Sequence, residues 1–130
     1  MLLTTQDVQK LPNEVMNMLH DDEVELINEL YEALIAKDIE KIDELFKQLL
    51  AEIEVHFTTE EQMMEEASYP NTGMHKADHD LIRGKLKKFH DRWEILKSPT
   101  ELKGFFVKVF KMWYTAHITK WDTQAAVAVD

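Results

Sequence analysis

Six histidines are distributed along this chain of 130 residues, and no cysteine accompanies them. Imidazole nitrogens combined with carboxylate oxygens, without sulfur, suit iron, manganese or zinc. The lack of cysteine excludes disulfide bonds, thiolate catalysis and cysteine-rich zinc sites. A shared metal site requires that the histidines lie close together in the fold, and the six are His20, His56, His75, His79, His90 and His117.

Four segments with helical periodicity could position these histidines, because apolar residues recur in each at spacings of three and four. The predicted helices run from about Pro12 to Ala36, from after Asp38 to about Ala67, from a cap at Asn71 or Thr72 to about Leu96, and onward from a capping box at Ser98 and Pro99. The tail from Thr123 to Asp130 is expected to fray. Four helices with short connections predict an all-α fold, an antiparallel up-and-down four-helix bundle made by one domain over residues 1–130.

The histidines lie on the predicted buried faces of these helices. His56 follows the apolar Leu49 by seven residues, and Glu60 lies one turn further along the same side. The other pairs that share a buried face are His20 with Val24, His75 with His79, and His117 with Trp113. Every helix therefore directs at least one histidine inward.

The same residues are also predicted to lie at one level of the bundle. In an antiparallel bundle, the starts of the first and third helices lie beside the ends of the second and fourth. Five histidines and Glu60 therefore converge in one layer. His90 lies eleven residues beyond His79, roughly 16 Å along the helix at ~1.5 Å per residue, so we predict that it is a structural or surface residue.

A layer of buried imidazoles favours a metal over an ordinary polar core. Buried polar groups without partners are costly, and these side chains would have little except each other. One ion cannot use five histidines and additional carboxylates, whereas two ions bridged by carboxylates can. Helical bundles are known hosts of such di-iron centres.

The charge of the chain excludes polyanionic partners. The sequence has 25 Asp and Glu against 15 Lys and Arg, which gives a net charge of −10. No basic cluster interrupts this balance, so we expect binding neither to nucleic acid nor to a membrane. The first ten residues lack the basic start and apolar stretch of a secretory signal, which predicts a cytoplasmic location. The polar outer faces of the helices predict a monomer.

Several spaced motifs resemble one family. The stretch H-F-T-T-E-E-Q-M-M from His56 resembles the H-F-x-x-E-E-x-x-M signature of hemerythrins, and Tyr69-Pro70 followed by H-K-A-D-H from His75 resembles the next motif of that family. The stretch H-I-T-K-W-D from His117 resembles its closing motif, and L-I-N-E-L-Y from Leu26 matches its first helix. The likeness covers roughly residues 20–125 and is greatest to the stand-alone bacterial hemerythrins.

The resemblance implies a di-iron centre with an oxo or hydroxo bridge. It assigns to one iron the residues His75, His79 and His117. It assigns to the other His20 and His56. The bridging carboxylates are Glu60 and Asp122, and Ile118 belongs to the ligand pocket. The assignment of Asp122 rests on the resemblance alone, because a residue five positions after His117 lies about 140° away from it around an ideal α-helix.

The resemblance also implies a function. In hemerythrins, the iron with two histidines keeps one position open, and dioxygen binds there reversibly. The chain is therefore expected to bind dioxygen as a carrier, store or sensor, and also other small ligands such as azide, nitric oxide or peroxide. Such a role is that of a binding protein and not of an enzyme.

The sequence departs from the family at Glu23, where hemerythrins usually have an apolar leucine that lines the oxygen pocket. Three residues after His20, the carboxylate could aim at the open iron as an extra ligand or a proton source. The protein would then be a di-iron peroxidase or oxidase, or a module that responds to redox state or nitric oxide. Alternatively, Glu23 turns to solvent with the acidic run that begins at Asp21, and the oxygen-binding role stands.

Overall fold

A computed structural model gives the fold, and it describes residues 1–4 and 6–129. Four long helices make up the described part, and no strand occurs in it. They are α1 (Glu14–Ala36), α2 (Ile39–Glu66), α3 (Thr72–Leu96) and α4 (residues 99–129). The predicted all-α four-helix bundle is confirmed. None of these helices combines the length and the apolar character needed to cross a bilayer.

Capping side chains fix the starts of α1, α2 and α4, whereas the side chain of Asn71 before α3 makes no capping hydrogen bond. The backbone N–H of Met16 donates to Asn13 Oδ1 over 3.0 Å, so α1 begins at Glu14 and the predicted start at Pro12 is two residues early. Ser98 caps α4 by accepting from the backbone N–H of Glu101 at 3.3 Å. Only half of the predicted capping box forms, because the Glu101 carboxylate pairs with Arg92 instead of returning to Ser98.

α4 is one continuous helix with two π-helical turns. Its α-helical parts are Pro99–Phe105, Lys111–His117 and Thr123–Val129, and the π-turns between them are Phe106–Phe110 and Ile118–Asp122. The prediction that the tail frays is wrong for residues 123–129, because Ala125 and Ala126 are buried in a cluster with Leu11, Met16 and Met64. The last predicted tail residue, Asp130, lies outside the described residues.

The helices pack antiparallel around an apolar core. At one end of the bundle, Trp93 near the end of α3 donates to Asp43 near the start of α2 over 3.1 Å. Aromatic rings fill this half, where Phe106 meets Phe46 at 5.8 Å and Phe105 at 5.2 Å between centroids. The other half of the bundle holds the remaining five histidines, which lie next to this aromatic core.

Two asparagines hold the segment before α1 against the bundle. Asn28 pairs with the backbone N–H and carbonyl of Leu3, both at 2.9 Å. Asn17 pairs in the same way with Leu11, at 2.8 and 2.7 Å. Each amide satisfies one backbone donor and one backbone acceptor, so this segment is anchored at both ends beside α1.

Candidate metal centre

The structure brings seven predicted site residues together at one end of the bundle. Their ligand atoms form two groups, and within each group these atoms lie within 4.8 Å of one another. The larger group contains Glu60, His75, His79, His117 and Asp122. The smaller group contains His20, His56, Glu60 and Asp122. The two carboxylates belong to both groups, which is the division that the family resemblance implies.

The distances show how the shared carboxylates span the two groups. Asp122 Oδ1 lies 2.9 Å from the Nε2 atoms of His75 and His117, and its other oxygen lies 2.9 Å from His20 Nε2. Glu60 extends in the same way, with Oε1 at 3.3 Å from His79 Nε2. Its Oε2 contacts the imidazole of a histidine in the smaller group. Each carboxylate therefore presents one oxygen to each group.

A π-turn places Asp122 in the site. Helical spacing of 3.6 residues per turn does not by itself select Asp122 as a neighbour of His117. In the turn Ile118–Asp122 the backbone bonds run from i to i+5, and this brings a residue five positions on back to the same side. Ile118, the predicted pocket residue, is buried within the same turn.

The donor set fits a pair of cations. All seven residues are at most 3% exposed. Glu60 Oε1 and Asp122 Oδ1 are buried among the imidazole nitrogens of the larger group. The Nε2 atom of His117 lies 3.1 Å from those of both His75 and His79. Imidazole nitrogens that face one another beside buried carboxylate oxygens need positive charge between them.

The acid–base properties of these groups agree with a cation site. Burial lowers the pKa of His20, but hydrogen bonds with Asp122 and Glu60 outweigh it and raise that pKa to about 9. The same balance raises the pKa of His75 to about 9. Burial and the charge of Glu60 raise the pKa of Asp122, but hydrogen bonds from three histidines hold that pKa below its usual value. The carboxylates are thus ionised, and protons take the place of a cation.

The Nδ1 atom of three ligand histidines contacts a carboxylate, and for His56 this carboxylate is Glu23. His79 Nδ1 lies 2.8 Å from Glu61 Oε2, and His117 Nδ1 lies 2.5 Å from Asp78 Oδ2. Each Nδ1 therefore faces a carboxylate acceptor, and each Nε2 is directed at the other ligand atoms, where a cation would bind. His20 Nδ1 and His75 Nδ1 are buried without such a partner among the described residues. Glu61 and Asp78 were not among the predicted site residues, although both lie beside a ligand in the sequence.

Aromatic rings cover the histidines of the larger group. Phe57 stacks on His79 with centroids 4.0 Å apart and an angle of 4° between the planes. Trp113 stacks on His117 at 4.5 Å and 18°. These contacts fix the ring orientations and keep water away from the site.

Glu23 lies beside the smaller group, in contact with His56. It is fully buried, so it does not turn to solvent. Its Oε2 contacts His56 Nδ1, and its Oε1 accepts a hydrogen bond from the Tyr114 hydroxyl at 2.9 Å. It is therefore a carboxylate behind His56 and is not a member of either ligand group. Tyr114 was not among the predicted site residues, although it lies three residues before His117 and so on the same helical face.

His90 lies outside both ligand groups, as predicted. Its ring packs edge-on against Phe46 at 5.2 Å, in the aromatic half of the bundle. It is half-buried and lies 3.4 Å from Glu94. It is a structural residue.

A cavity of about 510 Å³ reaches the smaller group. It lies between the segment before α1 and α1 itself, and its wall includes Val8, Lys10, Asn17, His20 and Val24. The segment before α1, which Asn17 anchors through Leu11, forms one side of the cavity. Among the site residues, His20 lines this cavity.

Comparisons with known proteins agree with this geometry. Residues 11–127 match the family described as the Hemerythrin HHE cation binding domain. The chain is 40% identical over 126 residues to a bacteriohemerythrin of Aquifex aeolicus (strain VF5), covering 97% of this chain and 96% of that protein.

Two crystal structures of hemerythrin variants, with one leucine replaced by tyrosine or by alanine, share the fold. Each has a TM-score of 0.79 and covers 99% of this chain and 96% of the other, at 20% and 19% identity. At that identity the structures show the fold alone, whereas the family match and the bacterial relative show the family. The chain belongs to the hemerythrin family.

Proposed function

We propose that the chain is a non-haem di-iron protein that binds dioxygen and serves as a carrier, store or sensor. The observation that carries this proposal is the sharing of Glu60 and Asp122 between two groups of histidines. Two cations bridged by two carboxylates use all seven ligand side chains, whereas a single cation leaves several buried and unpaired. Imidazole and carboxylate donors without sulfur suit iron.

The proposed division of ligands is unequal. His75, His79 and His117 would hold one ion, and His20 and His56 the other. A bound iron pair supplies the two electrons with which dioxygen is reversibly reduced. The chain itself orients the ligands through Glu61 and Asp78, covers the larger group with aromatic rings, and offers a cavity beside His20 through which a small ligand can approach.

A second candidate function is favoured by the pair of Glu23 and Tyr114. The resemblance leads one to expect an apolar pocket beside the smaller group, and reversible oxygen binding requires a dry pocket without proton donors. The structure has a buried carboxylate and a buried phenol there instead. This polarity suits a di-iron peroxidase or oxidase, or a module that responds to redox state or nitric oxide.

Absorption spectroscopy through an oxygenation cycle separates the two candidates. The protein is loaded anaerobically with Fe²⁺, exposed to air and then returned to argon. A spectrum that returns to its starting form over repeated cycles supports the oxygen-binding role. One-way conversion to the oxidised form supports the second candidate. A protein that retains no iron contradicts both. The cytoplasmic location and the monomeric state stay predictions, and sedimentation in dilute solution checks the second of these.

A further inference from the structure

The three carboxylates behind ligand histidines differ in how much of their charge is compensated. Glu61 also accepts from Arg83 at 2.9 Å, so a guanidinium neutralises it. The side chain of Asp78 is 22% exposed, so water screens it. Glu23 is 0% exposed, and its other oxygen meets only the neutral hydroxyl of Tyr114. Of the three, Glu23 has the least compensated charge.

The contacts of Glu23 hold both of its oxygens in fixed positions. One oxygen contacts His56 Nδ1, and the other accepts from Tyr114. Tyr114 is itself fixed by stacking on Phe110, at 5.5 Å between centroids and 21° between planes. His56 Nδ1 donates to the Glu23 carboxylate and His56 Nε2 donates to Glu60, so Nε2 is the nitrogen that would exchange its proton for a cation.

We propose that Glu23 and Tyr114 act together as positioning residues that make the His20–His56 side of the metal centre electronically distinct from the other side. This inference rests on the proposed metal centre. A buried charge whose second oxygen meets no cation acts through a low dielectric, so it makes His56 a more basic ligand and would stabilise the more positive oxidation state of an ion bound there. The phenol of Tyr114 moderates that charge by donating a hydrogen bond to it.

The two residues therefore have opposite effects on the reduction potential. Glu23→Gln keeps the shape of the side chain and removes its charge, which destabilises the oxidised state and raises the potential. Tyr114→Phe removes the donor and leaves the carboxylate more negative, which lowers the potential. General damage to the fold would instead shift the reduction potentials of both variants in the same direction.

Metal titration of the metal-free protein tests the ligand effect without any activity measurement. We expect Glu23→Gln to weaken one of two Co²⁺ binding steps by about 10- to 100-fold, the usual consequence of losing a partner behind a ligand histidine. Glu61→Gln should weaken the other step by a smaller factor, because Arg83 already neutralises that carboxylate. Asp22→Asn is the matched control, since it removes an exposed carboxylate from the adjacent position of α1.

Spectroelectrochemistry of the iron-loaded proteins and nitrogen NMR of the zinc-loaded proteins complete the test. Opposite shifts of potential in Glu23→Gln and Tyr114→Phe, with the His56 proton on Nδ1 in the wild type, support the inference. Shifts in one direction, no shift, or a His56 proton on Nε2 overturn it. If Glu23→Gln does not fold, the sign of the shift in Tyr114→Phe decides. A wild-type protein that binds no Co²⁺ refutes the metal centre itself, a different result from a wild type and Glu23→Gln that bind it equally.

Discussion

The hydroxyl of Tyr114 donates to Glu23 across the bundle, from a position 91 residues further along the chain. The two side chains are buried together, so each is the hydrogen-bond partner that the other needs. Neither can be changed alone without leaving a buried polar group unpaired. A substitution of Glu23 therefore has to be considered together with Tyr114.

Glu23→Leu, the substitution that restores the usual family residue, should not by itself create a stable apolar pocket. It removes the acceptor of the Tyr114 hydroxyl and the partner of His56, and each orphaned group costs about 1–3 kcal/mol. Glu23→Leu combined with Tyr114→Phe should destabilise the protein by less than the sum of the single changes, with a coupling of about 0.5–3 kcal/mol. Urea unfolding of the four metal-free proteins measures this coupling. Additive effects would show that the hydrogen bond contributes nothing.

The purified protein should contain two irons per chain. His56→Ala and Glu60→Ala each remove a ligand of the smaller group, and Glu60→Ala also removes one from the larger, so both should lose iron. His90→Ala is the control, because it removes a histidine that lies outside both ligand groups. Elemental analysis with a colorimetric iron assay gives the stoichiometry. One zinc per chain in protein expressed with iron, or equal iron in all variants, would contradict the assignment.

The metal-free protein should lose stability as the pH rises from neutral to alkaline. The pKa values of His20 and His75 are raised from 6.5 to about 9 by their carboxylate partners. A raised pKa in the folded state stabilises fully below pH 6.5, and that stabilisation is lost as the pH passes through 9. Thermal unfolding between pH 6 and pH 10 follows the loss. Asp122→Asn should flatten the profile, since it removes a partner of both histidines. Zinc-loaded protein should also give a flatter profile, because bound metal replaces the protons.

Filling the cavity beside His20 should slow ligand entry. Val24 lies in the cavity wall, and Val24→Trp places a large ring in the path between the segment before α1 and His20. Azide association with the iron-loaded protein, followed by stopped-flow absorption, should become slower while the equilibrium affinity changes little. Val15→Trp adds the same ring to an exposed position of α1 outside the cavity. Equal association rates in both variants would mean that ligands enter elsewhere.

The helical phase of the sequence was sufficient to predict the layer of histidines. Their levels follow from element order in an antiparallel bundle, and their faces follow from spacings of four and seven residues. Asp122 could not be found in this way, because nothing in the local sequence distinguishes a π-turn from an α-helix. The bond between Glu23 and Tyr114 was also out of reach, since it joins two helices and depends on their rotation. Pro12 misled the start of α1 because the stronger cap, Asn13, follows it directly.

The π-turn before Asp122 has a consequence for how such chains are recognised and redesigned. A π-turn is an α-helix that has absorbed one additional residue while the flanking turns keep their orientation. Removing one residue between His117 and Asp122 would leave a separation of four, which also lies on one helical face. Metal sites with histidine and aspartate spaced by four or by five residues can therefore have the same geometry. Searches for helical ligand pairs should therefore accept both spacings.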